Sequence, residues 1–121
     1  MRDGEWVRFV IRFEVLDAGR FREMAEQMVA VSRDEPGTVV YDWYLDEAAS
    51  KGTLYEAYAS PEALSAHGAG AVFTELAPQY LDALRVISVD AFGGADLAKR
   101  DVLGAPTTWW GTPIAAVTAA G

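Results

Sequence analysis

The first apolar pattern along the chain has a period of two residues. Every second residue from 7 to 15 is apolar, and these residues are Val7, Phe9, Ile11, Phe13 and Val15. Arg8, Arg12 and Glu14 lie between them. Because alternate residues of a strand point to opposite faces, this pattern predicts a strand with one buried side.

A helical period follows the strand. Asp17 can cap a helix, because its side chain can accept a hydrogen bond from a free backbone N–H group of the first turn. Apolar residues then recur three or four positions apart: Phe21, Met24, Met28 and Val31. This spacing predicts an amphipathic helix of about three to four turns. It should end near Arg33, since Pro36 disfavours helical backbone just before it and Gly37 supplies a turn.

The centre of the chain predicts a β-hairpin that leads into a helix. Residues 38–45 and 53–58 are rich in β-branched and aromatic side chains, with a polar connection between them. Such runs are typical of two adjacent antiparallel strands. The Ser-Pro-Glu sequence at residues 60–62 then predicts a helix start, because proline lacks the backbone donor that is unused there. His67, the only histidine, follows on this helix.

The remaining elements complete a strand-helix-strand-strand-helix-strand order. A second helical run places four apolar residues on one face: Phe73, Leu76, Tyr80 and Leu84. Pro78 lies inside this run and predicts a kink or a restart. Residues 85–92 predict the last strand. Two right-handed crossovers then give an α+β, ferredoxin-like domain over residues 1–92, with a four-stranded antiparallel sheet and both helices on one face.

The other face of this sheet would carry apolar residues that no helix covers. They include Val10, Val40, Tyr44 and Tyr55. Such a surface is too apolar to remain in water, and a second copy of the chain is expected to cover it. The sequence therefore predicts a homodimer.

Residues 93–121 extend beyond the minimal domain. Asp96 can cap a short helix that runs to Leu103, and the segment after it is rich in turn residues. The extension is too apolar for a disordered segment. Three of its residues are expected to dock on the partner subunit or over the pocket: Trp109, Trp110 and Ile114.

Composition narrows the classes of function. The chain has 121 residues, of which 51% are hydrophobic, and this is enough for one domain with a core. A formal charge of -8 and a pI near 4.5 argue against nucleic-acid and membrane partners, which need a basic surface. With no cysteine and a single histidine, neither a metal nor another cofactor is expected. Without a signal sequence or a spanning apolar run, a cytoplasmic protein is expected.

Several short motifs occur in a characteristic order. They are Glu35-Pro36-Gly37 with Tyr41, Tyr55-Glu56-Ala57-Tyr58, Ser60-Pro61-Glu62-Ala63-Leu64 and Ala66-His67. In this order they resemble the antibiotic biosynthesis monooxygenase family of dimeric α/β barrels, over residues 6–92. The resemblance implies a dimer in which each subunit has a small-molecule pocket between its sheet and its helices.

Members of that family include cofactor-independent oxygenases of polyketide quinols, haem-degrading enzymes and small-molecule isomerases. The quinol-oxidising branch has an asparagine and a tryptophan where this chain has Leu54 and Tyr58, so the role of the asparagine is unfilled. The haem-degrading branch uses a histidine where residues 76–79 contain none. The resemblance implies a cofactor-independent monooxygenase acting on an aromatic or polyketide-like molecule. An isomerase or cyclase and a non-catalytic binding dimer are the alternatives.

Three residues are candidates for proton transfer: His67, Tyr58 and Glu56. The imidazole of His67 can act as a base that faces the sheet, within hydrogen-bond reach of Tyr58 or Glu56, or it can pack as a structural residue. Burial would raise the pKa of Glu56 toward useful basicity. The alternative is an ion pair between Glu56 and Arg8 or Arg12 across the sheet.

Five further residues are candidates for substrate contact: Tyr41, Trp43, Phe73, Leu54 and Leu64. Alternate aromatic positions on a strand share one face, so Tyr41 and Trp43 can line an aromatic cavity. Core packing would produce the same pattern, and both interpretations stay open at the level of the sequence.

Overall fold

A computed structural model describes residues 6–94 and 100–117 of the chain. Its elements, in chain order, are β1 (Val7–Val15), α1 (Ala18–Ser32), β2 (Thr38–Asp46), β3 (Lys51–Tyr58), α2 (Pro61–Gly68), a π-helical turn (Val72–Leu76), a 3₁₀ turn (Ala77–Tyr80), β4 (Leu84–Phe92) and β5 (Thr107–Trp109). The strand and helix order predicted up to residue 92 is confirmed. Within the described ranges, no helix is long and apolar enough to cross a membrane.

Both predicted helix starts are confirmed. The Asp17 side chain accepts a hydrogen bond of 3.0 Å from the backbone N–H of Arg20. The Ser60 hydroxyl oxygen accepts one of 3.2 Å from the backbone N–H of Ala63, and Pro61 occupies the first helical position. These side chains satisfy donors that the first turn of a helix leaves free.

The sheet has five strands in the order β2-β3-β1-β4-β5. The first four elements of this order pair antiparallel, whereas β5 pairs parallel to β4. The α+β, ferredoxin-like arrangement is thus present, but the prediction of a four-stranded, fully antiparallel sheet is wrong. The chain returns after β4 and adds a short strand to its free edge, where the backbone N–H of Val89 donates to Pro106 O at 2.9 Å.

The core lies between the sheet and α1. The apolar residues of β1 predicted to share a face are all buried, and they meet Phe21, Met24 and Met28 of α1. Phe13 packs edge-on against Phe21 with ring centroids 6.1 Å apart. Because burying one such side chain stabilises the fold by about 1.5 to 3 kcal/mol, this face fixes which side of the sheet carries the helices.

The segment after α2 is not the kinked α-helix predicted from its apolar spacing. It forms the π-helical turn and the 3₁₀ turn, and Leu84 already belongs to β4. Pro78 explains the change, because it lacks a backbone donor and its ring clashes with the preceding helical turn. The far end of the segment is held by Arg20, whose guanidinium donates to Gln79 O and to Asp82 and lies over the Tyr80 ring. We call these contacts the Arg20 clamp.

The sheet face opposite the helices carries apolar residues, as predicted. Val10, Val40 and Tyr55 are partly buried there, and Tyr44 is 57% exposed. The extension adds Trp110, whose ring stacks on Phe92 with centroids 6.4 Å apart.

Trp110 also joins a polar contact on this face. Its indole N–H donates to Asp90 Oδ1 at 3.1 Å, and Arg12 donates to the other oxygen of that carboxylate at 2.5 Å. Both hydrogen bonds lower the pKa of Asp90, and the bond from Arg12 has the larger effect. Arg12 is therefore engaged on the face away from the helices.

The C-terminal extension packs on the chain's own sheet. Trp109 lies edge-on to Phe9, with centroids 6.0 Å apart, and its indole N–H donates to Arg100 O at 2.8 Å. Ile114, in contrast, is fully exposed. The docking of these residues on a partner subunit stays a prediction.

The helix predicted from Asp96 to Leu103 falls partly outside the described residues, which resume at residue 100. Residues 100–103 are not helical. Val102 pairs with Ala105 around a tight turn in which Leu103 and Gly104 adopt positive φ angles of 54° and 71°. These residues form a turn that directs the chain back toward β4, and not a helix. The helical prediction for them is therefore wrong.

Deleting residues 107–121 should lower the free energy of unfolding by about 3 kcal/mol, because it removes β5 and the packing of Trp109 on Phe9. Deleting only residues 112–121 is the matched control, since the residues described there are exposed. Denaturant unfolding measures both. Equal stability of the long and short truncations would contradict the role given to β5.

Candidate active site

The three predicted proton-transfer residues lie on the helix side of the sheet. Glu56 is paired with Tyr41 on one neighbouring strand and with Phe9 on the other, and both neighbours are buried. Its side chain therefore points between the sheet and the helices. With four neighbouring residues it forms a group that we call the acid–base cluster, defined as Glu35, Tyr41, Glu56, Tyr58 and His67.

The carboxyl group of Glu56 is enclosed, with only 7% of the residue exposed. Tyr58 donates its hydroxyl proton to Glu56 Oε1 at 2.8 Å. Burial raises the pKa of Glu56 to about 7, the negative charge of Glu35 adds to the shift, and the hydrogen bond from Tyr58 opposes it. The group can therefore gain or lose a proton near neutral pH.

The predicted alternative, an ion pair of Glu56 with Arg8 or Arg12, is wrong. Both arginines lie on the opposite face of β1, because they alternate with the buried residues of that strand. Arg12 pairs with Asp90 instead. The partner of Glu56 is a neutral phenol, which leaves its proton affinity high.

His67 faces the sheet, as predicted, and is only 1% exposed. Its hydrogen-bond partner is not Tyr58 or Glu56 but Glu35, with 2.6 Å between Nδ1 and Oε1. An ionised carboxylate only accepts, so Nδ1–H is the donor in this pair. The hydroxyl of Thr38 donates to the same oxygen at 2.8 Å.

Glu35 meets His67 because a glycine lets α2 lie against the turn before β2. A Cβ atom on Gly37 would lie 2.3 Å from the Cβ of Ala63. Ala63 and His67 are four residues apart on α2 and so share one face. The contact at Gly37 therefore sets the position of the imidazole over Glu35.

In the sequence, Glu35 stands out only as part of the Glu35-Pro36-Gly37 motif. The pair spans 32 residues, and no short-range spacing connects its two members. Only the packing of α2 on the turn reveals it.

The two tyrosines of the cluster are held neutral. Burial raises the pKa of Tyr58 and of Tyr41 above the usual value, and the negative charge of Glu56 adds to both shifts. The rings of Tyr41 and Tyr58 each lie 5.1 Å from the imidazole ring of His67. The cluster thus combines two carboxyl groups, an imidazole and two phenolic donors.

The predicted substrate-contact residues occupy different surroundings. Trp43 stacks on Phe13 at 5.3 Å and Leu54 is buried beside it, so both belong to the core. Leu64 is partly buried against that core. Phe73 contacts His67 edge-on at 5.6 Å and is 37% exposed.

A groove of about 620 Å³ lies beside the cluster, between α1 and the edge strand β2. Its lining residues are Ala25, Glu26, Val29, Arg33, Tyr41, Asp42, Trp43 and Tyr44. It meets the cluster at Tyr41. Across the described ranges, no group of three or more His, Asp or Glu side chains has the arrangement of a metal site.

Solved structures with this fold include an oxygenase, a possible oxidoreductase and a protein whose structure carries no stated activity. SnoaB from Streptomyces nogalater, a cofactor-independent oxygenase, is 18% identical, with 83% of this chain and 98% of SnoaB covered and a TM-score of 0.63. Rv0793 from Mycobacterium tuberculosis is 24% identical, with 82% and 99% covered and a TM-score of 0.62. A conserved Bacteroides thetaiotaomicron protein, described as a possible oxidoreductase, is 21% identical, with 74% and 97% covered and a TM-score of 0.63. At these identities the likeness shows the fold alone.

A search among curated proteins finds no significant match. The family model of antibiotic biosynthesis monooxygenases, in contrast, matches residues 9–79. The match covers more than half of the chain and includes α1, β2, β3, α2 and the π-helical turn. The chain therefore belongs to the antibiotic biosynthesis monooxygenase family.

Proposed function

We propose that the protein is a cofactor-independent monooxygenase of a neutral aromatic or polyketide-like molecule with an acidic C–H or O–H group. The observation that carries the proposal is the enclosed carboxyl of Glu56, whose pKa is raised to about 7. A base is most effective when its pKa lies near the working pH. The oxygenase SnoaB, which shares the fold, supports the same reaction class.

In this proposal, Glu56 takes a proton from a carbon of the substrate. The resulting carbanion supplies the electrons that reduce O₂, and a carbon–oxygen bond forms. The O–O bond then breaks, one oxygen stays on the carbon as a carbonyl, and the other leaves as water with two hydrogens from the substrate. The balance is one CH₂ group and one O₂ converted to one C=O and one H₂O, so no external reductant is needed.

The phenolic groups have a separate role in the proposal. Tyr58 and Tyr41 keep their protons, because the pKa of each is raised by burial. The Tyr58 hydroxyl donates to Glu56, whereas that of Tyr41 donates only to the Met28 sulfur at 3.9 Å and is the one available to a substrate oxygen. A hydroxyl donor in a water-poor site stabilises negative charge that develops on such an oxygen. Deprotonation of the substrate by Glu56 would thereby become easier.

A second candidate, an isomerase or cyclase, is favoured by the presence of two acid–base pairs. Tyr58 with Glu56 and His67 with Glu35 both lie in the cluster. One pair can remove a proton while the other returns one to a different atom, without oxygen. A non-catalytic ligand-binding dimer would show ligand-induced stabilisation without product.

We also propose that the protein acts as a homodimer through the sheet face opposite the helices. Tyr44 and Trp110 are 57% and 60% exposed on this face, beside the partly buried Val10 and Tyr55. Solvent contact of so many apolar side chains is unfavourable, and a second copy offers a matching surface.

Stability should depend on pH through Glu56. Its pKa is near 7 in the folded protein against an ordinary value of 4.5, so between these values the folded state binds more protons than the unfolded state. The free energy of unfolding should therefore fall as the pH rises through this window, by about 3 kcal/mol relative to Glu56→Gln. Urea unfolding across the window tests this against exposed Glu62→Gln as control. Parallel pH profiles for wild type and Glu56→Gln would contradict the enclosed carboxyl.

Activity is tested by oxygen uptake with a panel of naphthols, anthrones and hydroquinones. Glu56→Gln and His67→Ala should each lower turnover by about a hundredfold or more, as expected for positioned proton-transfer groups. Glu62→Gln should keep full activity. Product formed without oxygen uptake would favour the isomerase, and full activity of Glu56→Gln would rule out its role as base.

The dimer proposal is tested by light scattering with Tyr44→Glu and Trp110→Glu, against exposed Leu81→Glu in the turn before β4. Wild type and Leu81→Glu should scatter as dimers, and the two face variants should dissociate toward the monomer mass of 13.1 kDa. A wild-type monomer at micromolar concentration would refute the proposal.

A further inference from the structure

The acid–base cluster is closed in this structure. Tyr41, Glu56, Tyr58 and His67 are each at most 9% exposed. The groove beside α1 meets only Tyr41 of the cluster and leaves Glu56 and His67 covered. A molecule that reaches these two groups must therefore displace a side chain.

Phe73 is the side chain whose position suits such a displacement. Its ring meets the imidazole of His67 at a centroid distance of 5.6 Å and an interplanar angle of 85°. It is 37% exposed, so one edge contacts His67 and another contacts water. Moving this ring outward would uncover the imidazole.

The backbone that carries Phe73 is irregular. The π-helical turn holds five residues, and such turns interrupt regular helices and often occur at functional sites. Gly68 and Gly70 precede it. A Cβ atom on Gly70 would lie 3.3 Å from Glu35 Oε2, whereas one on Gly68 would meet nothing within 4 Å, so Gly68 is the open position at which the backbone can turn. The Arg20 clamp holds the segment that follows it. The turn can thus move between a glycine-rich end and a fixed end.

The charges of the cluster select what can enter. Glu35 and Glu56 supply two carboxyl groups, and no Lys or Arg is part of the cluster. A ligand with its own negative charge would be repelled, since like charges in a buried site raise each other's energy. A flat neutral ring would reproduce the edge contact that Phe73 makes with His67.

We propose that Phe73 is the gate of the acid–base cluster, and that a neutral aromatic ring replaces its ring against His67. The identity of the entering molecule as substrate rests on the proposed oxygenase function. The gate itself does not, because it follows from the contacts and exposure of Phe73.

The test is the rate at which diethyl pyrocarbonate acylates His67, followed by peptide mass spectrometry. The chain has a single histidine, and fragment spectra that locate the added group on this residue separate its label from any on tyrosine or lysine. Phe73→Ala should label about tenfold faster than wild type, the upper end of what one aromatic contact contributes to an equilibrium. Leu81→Ala, at a 78% exposed apolar position, should label at the wild-type rate. Equal rates for Phe73→Ala and wild type, or equal acceleration by Leu81→Ala, would overturn the gate.

A second variant covers the case in which Phe73→Ala is too unstable to compare. Phe73→Trp keeps an aromatic cover of larger area and should label no faster than wild type, whereas acceleration comparable to that of Phe73→Ala would overturn the gate.

For the entering ring, 2-naphthol should protect His67 from labelling and 2-naphthoate should not. Equal protection, or none, would overturn the neutral-ring half of the proposal. Labelling measures access and not turnover, so a protein without oxygenase activity would leave these results unchanged.

Discussion

The enclosure of the Glu56 carboxyl is the constraint on which the arrangement of the site depends. A carboxyl group between a sheet and helices costs free energy unless it is hydrogen-bonded or neutral, and here it is bonded by Tyr58 and its pKa is raised to about 7. Its paired neighbours on the two adjacent strands, Phe9 and Tyr41, are both aromatic and buried. The fold thus accepts an unfavourable group at one place, which is typical of a functional site.

A second pair of groups is placed by a different device. Gly37 allows α2 to approach the turn before β2, and His67 then reaches Glu35. One proton-transfer pair thus lies on a strand and the other links a turn with a helix. Phe73 of the π-helical turn contacts His67, so one of the groups that can move protons and the element that can admit a ligand are adjacent. This adjacency is the physical basis of the proposed chemistry.

Much of the fold could be predicted, because the apolar patterns of its strands and helices repeat over long stretches of sequence. The alternation in β1 and the helical spacing in α1 repeat over several residues, and the capping residues Asp17 and Ser60 mark the helix starts. The strand β5 has only three residues among turn-forming ones, too few to show a period. Its parallel pairing depends on how the preceding turn directs the chain.

The site was predictable only in part. Strand alternation predicted a shared face for Tyr41 and Trp43, whose ring centroids lie 5.9 Å apart, and His67 was correctly directed to the sheet. The hydrogen-bond partners predicted for Glu56 and His67 were wrong, because such partners depend on the register of strands and on the docking of a helix. Glu35 in particular enters the site only through tertiary packing.

The most direct measurement of the central claim is the titration of the Glu56 side-chain carboxyl by carbon-13 NMR, with the resonance assigned by its loss in Glu56→Gln. An enclosed Glu56 carboxyl should titrate with a midpoint at a pH of about 7, together with a response of the Tyr58 ring to the same proton. A midpoint near the ordinary value of 4.5 would contradict it, because the carboxyl would then be solvated and could not serve as an enclosed base near neutral pH.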